Sequence, residues 1–259
     1  MVKIIECFGP SGAGKTYKKK IIEQYLVKKK LKVYDYKKAV LVFSNQELNL
    51  SIKEKLVLSY YKFIKSNLLK KASFVFNRNI KTKIISPNIH LNHGNVYKIY
   101  NDICSKVYKK FKKKNTPFVK FVNKSIKDSN FDLKAKNIFK NWFIQECAGK
   151  YLFNKHNKKH DILLDSEGFI QRINIYAYKK KNKLKIIQDY LKLCPLPEVL
   201  IVSKKRKSIK KKDINKQLSI SLEEQSIIYQ KTLNNLRKKN NLIIVKKFFL
   251  KTTQNLFSK

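Results

Sequence analysis

Val2-Lys3-Ile4-Ile5-Glu6-Cys7-Phe8-Gly9-Pro10-Ser11-Gly12-Ala13-Gly14-Lys15-Thr16 is where the architecture becomes readable. Val2 to Phe8 is a strand-like run with Ile4 and Ile5 at its centre. Gly9 to Thr16 then meets the spacing G-x-x-x-x-G-K-T at every fixed position. A helix follows from about Thr16 to Lys30, because Ile21, Ile22, Tyr25 and Leu26 fall at helical spacing. Strand, glycine loop and helix in that order form a phosphate cradle. Gly9, Gly12 and Gly14 permit backbone conformations that a side chain forbids. The amides of residues 12–16 then face inward as a nest for phosphate oxygens. The positive end of the helix dipole adds to it. Lys15 reaches the β- and γ-phosphates, and the Thr16 hydroxyl ligates Mg²⁺. The expected ligands are ATP and Mg²⁺. The expected nucleotide-contact residues are Gly9, Pro10, Ser11, Gly12, Ala13, Gly14, Lys15 and Thr16.

A second strand is expected at Lys32–Tyr36 or at Ala39–Phe43, and periodicity does not separate the two. From about 44 to 159 the text becomes rich in Lys and Asn, with apolar residues three and four apart. Leu56 and Tyr60 show this spacing, and so do Ile138, Trp142, Phe143 and Cys147. This stretch is expected to be a helical insertion, irregular over 74–85 and 87–94. The strand signal returns at Asp161–Asp165, and a helix is predicted over 169–191. The continuous apolar run Glu198–Val202 reads as a buried parallel strand. A basic segment at 203–215, a helix over 222–239 and a last strand at 242–245 complete the pattern. Strands alternating with helices predict an α/β fold. Its sheet is five-stranded and mostly parallel, in one domain over 1–259.

Candidate catalytic residues cluster after the later strands. Ile162-Leu163-Leu164-Asp165 ends a strand on a carboxylate that can hold Mg²⁺ beside Thr16. Asp161 lies four residues earlier on that strand, about 13 Å away at about 3.3 Å per residue, and so belongs to the wrong edge. Glu167 can accept a proton from an attacking hydroxyl or hold it. Arg172 can pair with a phosphate. Arg206, in Lys204-Lys205-Arg206-Lys207, can close over a triphosphate as a lid.

These three features together resemble the small P-loop kinases, the nucleoside and nucleotide kinase-like group. They are GPSGAGKT, the LLDSEG strand end with Arg172 downstream, and PEVLIV followed at once by a basic segment. The resemblance covers Val2 to about Lys30 and Asp161 to about Val245. It implies a three-layer P-loop fold, an acidic strand end beside the substrate and an Arg-bearing lid at 203–215. It implies transfer of the ATP γ-phosphate to a nucleoside, nucleotide or sugar, with Lys15, Asp165, Glu167, Arg172 and Arg206 as the catalytic set. The Asp-Arg-Tyr and Glu-Arg-Ser signatures of well-known members are absent, and Asp165-Ser166-Glu167 stands there instead. The insertion at 44–159 is then the expected acceptor region.

The net charge is +43, from 60 Lys and Arg against 17 Asp and Glu. Such a surface attracts nucleic acid. Yet arginine is confined to Arg78, Arg172, Arg206 and Arg237, while Lys, Asn and Ile abound. A/T-rich codons supply those three residues, so the charge reads first as composition. A nucleic-acid-associated NTPase or polynucleotide kinase is the alternative, and a binding module without transfer chemistry is a third. No Asn-Lys-x-Asp motif follows the core strands to suggest a GTPase. Cys7 and Cys147 read as buried free thiols, which suits a cytoplasmic chain. No apolar stretch reaches the roughly 18 residues of a membrane span. His156-x-x-x-His160 shares a helical face but has no third ligand nearby for zinc.

Overall fold

The computed structural model describes residues 3–65, 93–203 and 222–245. The irregular segment predicted at 74–85, residues 87–92 of the one predicted at 87–94, and the Arg206 lid from residue 204 onward lie outside the described residues, while His93 and Gly94, expected to be irregular, begin a helix instead.

Five strands form one sheet: β1 (Ile4–Phe8), β2 (Lys32–Tyr34), β3 (Asp161–Asp165), β4 (Val199–Val202) and β5 (Ile243–Val245). They run parallel in the order β2-β3-β1-β4-β5. All five residues of β1 and all four of β4 are buried, which is why both read as near-continuous apolar runs. Alternation sends Ile5 and Cys7 to one face. There they join Val33, Ile162, Leu164, Val199, Ile201 and Val245 under Ile22 and Leu26 of α1 (Lys15–Lys28). Each such side chain contributes about 1.5–3 kcal/mol by leaving water. Glu6 and Phe8 point to the other face. Glu6 meets the start of α7 (Phe169–Tyr176). Phe8 meets Tyr229 of α9 (Leu222–Leu236), ring centroids 5.0 Å apart. Helices thus cover both faces, giving three layers.

The chain steps from β1 past β3 to β2, returns to β3, then crosses β1 to reach β4 and β5. The sense of winding therefore reverses at β1. In open parallel sheets the crevice beyond the carboxyl ends at such a reversal is where ligands bind.

Two helical readings are corrected. Ala39–Phe43 is not a strand; it lies in α2 (Tyr36–Glu47), with Ala39, Val40 and Phe43 buried as one helical stripe. A short apolar run carries no period of its own, and burial on one side settled it. The helix predicted over 169–191 is two, α7 and α8 (Lys183–Leu193). Lys179 turns the chain at φ 50°. Glu224 of α9 holds that turn, accepting from Lys179 N at 2.6 Å and pairing with Lys183 at 3.0 Å. No local signal announces a contact from so far along the chain.

The chain divides into two compact units. One comprises residues 1–35, 114–142 and 157–259, and the other comprises 36–113 and 143–156. The stretch 44–159 is thus shared. Its residues 114–142, including α5 (Thr116–Lys127), go with the sheet, where Phe118 packs on Phe169 and Tyr190 at 5.3 and 5.5 Å. The second unit is helical. It holds α2, α3 (Ile52–Lys65), α4 (His93–Lys114, through Lys113) and α6 (Leu133–His156) from Phe143 onward. A Cβ on Gly149 of α6 would lie 2.3 Å from the Tyr36 carbonyl oxygen, so α2 and α6 touch through a glycine. Glu47 ties this unit together. Lys110 and Lys155 approach it to 2.6 and 2.9 Å, and His156 Nε2 to 2.8 Å. All four cysteines are buried and free. Among the described residues, no helix is long and apolar enough to cross a membrane.

Candidate functional site

Everything in this site belongs to the sheet unit and lies at the carboxyl edge of the strands. The loop after β1 turns on two left-handed glycines, Gly12 at φ 71° and Gly14 at φ 78°. A side chain there is disfavoured by about 1–2 kcal/mol. A Cβ on Gly14 would meet nothing within 4 Å, so backbone conformation is the constraint. At Gly9 the constraint is space, because a Cβ would lie 2.5 Å from the Ser203 carbonyl oxygen at the end of β4. Gly14 caps α1 without a side chain, which leaves the first amides of the helix facing the loop.

Two side chains from the opposite face of the sheet brace the loop from outside. Gln171 Oε1 of α7 accepts from Gly9 N at 3.2 Å. Gln225 Oε1 of α9 accepts from Ser11 N at 2.9 Å. Lys15 is only 8% exposed and donates from Nζ to the Gly9 and Pro10 carbonyls at 3.0 and 3.1 Å. Burial pushes its ammonium below the usual lysine range, and the charge of Glu167 pulls it partly back. Glu167 therefore lies within the electrostatic reach of the loop. Lys18 donates to the Val202 carbonyl at 3.1 Å, tying α1 to the end of β4. Thr16 is exposed.

Asp165 ends β3 half-buried, and its Oδ1 accepts from Glu167 N at 2.9 Å. Burial pushes its carboxyl up. Lys19 and the Glu167 amide pull it down, while Asp35 and Glu6 push it further up. Asp35 directly follows β2, with Oδ2 3.6 Å from Lys19 Nζ. Two neighbouring strands thus each end on a carboxylate, and one lysine answers both. Arg172 is 12% exposed and stands 4.0 Å from Glu167, its guanidinium 4.7 Å over the ring of Trp142. Arg172 is thereby aimed rather than loose.

Asp161 sits at the amino end of β3, where its Oδ2 accepts from Lys158 N at 2.8 Å. An open hollow of about 550 Å³ also lies at that amino edge, lined by residues that include Leu196, Pro197, Lys238 and Asn241. It is a whole strand length from the glycine loop, so its size says nothing about the chemistry. Among the described residues, no three His, Cys, Asp or Glu gather to hold a metal. Thr16 and Asp165 are the two oxygen donors expected from the sequence. That set fits only an ion taking its remaining ligands from phosphate and water, as Mg²⁺ does.

Asp35, Lys19, Gln171, Gln225 and Glu6 were not legible as site residues in the sequence. Asp35 had a signal, since it follows an apolar run as Asp165 does, but that strand was one of two alternatives. Glu6 had one too, being an acid in the middle of a buried strand. The glutamines had none, because their role is a tertiary contact. The chain matches no family model, no curated protein and no solved structure.

Proposed function

We propose that this chain is a P-loop phosphotransferase that moves the γ-phosphate of Mg-ATP to a hydroxyl or phosphate group of a small molecule. One observation carries the reading. The G-x-x-x-x-G-K-T loop follows the strand at which the sheet reverses, and the adjacent strand ends on Asp165. The amides of residues 12–16 bind the triphosphate, and Lys15 exchanges its two loop carbonyls for phosphate oxygens. Mg²⁺, when bound, neutralises charge on the β- and γ-phosphates. Thr16 and Asp165 would hold it. Glu167 or Asp35 takes the proton of an acceptor hydroxyl as its oxygen bonds to the γ-phosphorus, and the bond from that phosphorus to the β,γ-bridging oxygen breaks, so that ADP leaves. Arg172, kept in place by Trp142, pairs with the transferring group or with an acceptor phosphate. Arg206 is the remaining cation of this scheme, as a lid residue.

The test is ATP turnover by the purified chain against a panel of nucleosides, nucleotides and sugars, with Lys15→Ala as the control. Turnover that survives Lys15→Ala, or a chain that does not bind Mg-ATP, ends this reading. The +43 charge favours one other acceptor, a polynucleotide end. Binding of RNA or DNA that weakens steeply with salt, and transfer to its terminus, would select that version. Mg-ATP binding with no transfer to any acceptor would leave a nucleotide-binding module.

A further inference from the structure

We propose that Glu6 is the positioning residue for the turn from Asp165 to Gly168, seating the Asp165 and Glu167 carboxylates from beneath. This rests on the phosphotransfer reading for its functional part and on geometry alone for the rest. Glu6 is 0% exposed in the middle of β1. A buried carboxylate is expensive unless it is hydrogen-bonded, so a chain that keeps one in its central strand has a use for it. Its Oε2 accepts from Ile170 N, in the first turn of α7, at 3.1 Å. Gly168 is the N-cap of that helix and has no side chain to give. A carboxylate from another strand therefore does the capping. The fit is close enough to fix Gly168 as glycine. A Cβ there would lie 2.2 Å from Glu6 Cδ and 2.6 Å from each carboxylate oxygen.

Glu6 also pairs in register with Asp165 across β1 and β3. The residue that caps the helix after the turn thus also stands beside the start of the turn, and only Ser166 and Glu167 lie between Asp165 and Gly168. The far side is held by Tyr190, whose hydroxyl donates to the Phe169 carbonyl at 2.7 Å. With both ends held, the backbone that carries Glu167 is held as well, 4.0 Å from Arg172 at the carboxylate. A reporter is built in. Trp142 is the single tryptophan of the chain and lies under Arg172, which faces Glu167.

A merely structural cap and a positioning residue differ in what their loss does to turnover. Loss of a cap lowers stability alone, whereas loss of a positioning residue lowers kcat with KM for ATP unchanged, and a side chain that restores the acceptor restores kcat.

The experiment compares the full chain with Glu6→Gln, Glu6→Leu, Glu6→Ala, Gly168→Ala and the double variant Glu6→Ala/Gly168→Ala. Ile170 amide exchange by NMR and Trp142 emission are read first, without substrate. Glutamine keeps an acceptor for Ile170 N–H, so Glu6→Gln should retain slow exchange and near-normal kcat. Glu6→Leu should speed Ile170 exchange at least about 10-fold, as loss of a charge-assisted bond implies. It should also shift Trp142 emission, and lower kcat about 10- to 100-fold with KM for ATP unchanged. Gly168→Ala should act like Glu6→Leu, and should do less harm once Glu6 is alanine. Fast Ile170 exchange in the parent chain overturns the proposal. Strict additivity of the two alanine substitutions, or a Glu6→Gln chain that loses as much kcat as Glu6→Leu, also overturns it. If the parent chain transfers phosphate to nothing, phosphotransfer falls alone. The exchange, emission and additivity results still decide whether Glu6 seats the turn.

Discussion

Asp165 in the sheet unit and Glu47 in the helical unit are held by opposite fields. Glu47 is 2% exposed at its side chain, yet burial does not prevail there. Burial alone pushes its carboxyl up, but hydrogen bonds from Lys110, Lys155 and His156 outweigh it and bring the pKa down to about 2. Asp165 has Lys19 to draw it down, but burial, Asp35 and Glu6 prevail and hold it high. In a chain with 60 basic residues and 17 acids, cations are never scarce. At Asp165 the balance goes the other way: Asp35 and Glu6 add to the effect of burial, and Lys19 opposes it. A carboxylate held high by burial and by neighbouring acids at a strand end is the kind of group to test for function.

The largest effect that can break this contrast is at Lys15. If the carboxyl edge is held for a triphosphate, Lys15→Ala weakens Mg-ATP binding at least about 100-fold, or about 2.7 kcal/mol. Calorimetric titration reads this, and an unchanged Kd removes that reading. Next comes the crossed pair of Asp165→Asn and Glu47→Gln. Asparagine at 165 keeps an acceptor for Glu167 N and removes the crowded charge. Turnover should fall about 100-fold while the melting temperature of the ligand-free chain rises by a few degrees. Glu47→Gln should cost about 1–3 kcal/mol of stability and leave kcat untouched. If both variants lose stability, the two acids are doing the same job.

A finer version uses two glycines in tight contacts. A Cβ would lie 2.5 Å from a carbonyl oxygen at Gly9 and 2.3 Å at Gly149. Alanine at either should cost about 1–3 kcal/mol through overpacking. Only Gly9→Ala should also weaken nucleotide binding, because only Gly9 opens the phosphate loop. Equal loss of binding in Gly149→Ala would blur the division of labour.

Much of the sheet unit could be read in advance, and for a definite reason. Parallel strands buried on both faces leave continuous apolar runs, and the G-x-x-x-x-G-K-T loop demands glycines by backbone conformation at Gly12 and Gly14. Both are local and so are written locally. Gly12 and Gly14 are left-handed where the motif requires it. The helical unit left weaker traces. Ala39–Phe43 carries five residues that suit a strand or a helix equally, and only the burial of Ala39, Val40 and Phe43 distinguishes them. The break after Tyr176 depends on Glu224, and the bracing of Gly9 and Ser11 on Gln171 and Gln225. Contacts between residues far apart in sequence have no spacing to betray them. The carboxylate of Glu6 was visible as an anomaly in a strand, but its purpose was not.

The smallest effect is a difference between two stability curves as pH falls. Glu47 has an ordinary value of 4.5 and a folded value of about 2. Its contribution is therefore complete above about 4.5 and drains away as pH falls toward about 2. Over that window the gap between the parent chain and Glu47→Gln should close. Asp165 runs the other way, because its folded value lies above the ordinary 3.8. The folded chain binds that proton more tightly than the unfolded one. The penalty is absent below 3.8 and develops as pH rises through the raised value. The advantage of Asp165→Asn should therefore be missing in acid and open toward neutrality. Melting temperatures of the three proteins at half-unit steps between about pH 2 and 7 resolve both trends. A Glu47→Gln gap that stays constant to pH 2 would mean that packing, rather than the hydrogen bonds from Lys110, Lys155 and His156, makes the clamp. The contrast with Asp165 would then rest on one acid instead of two.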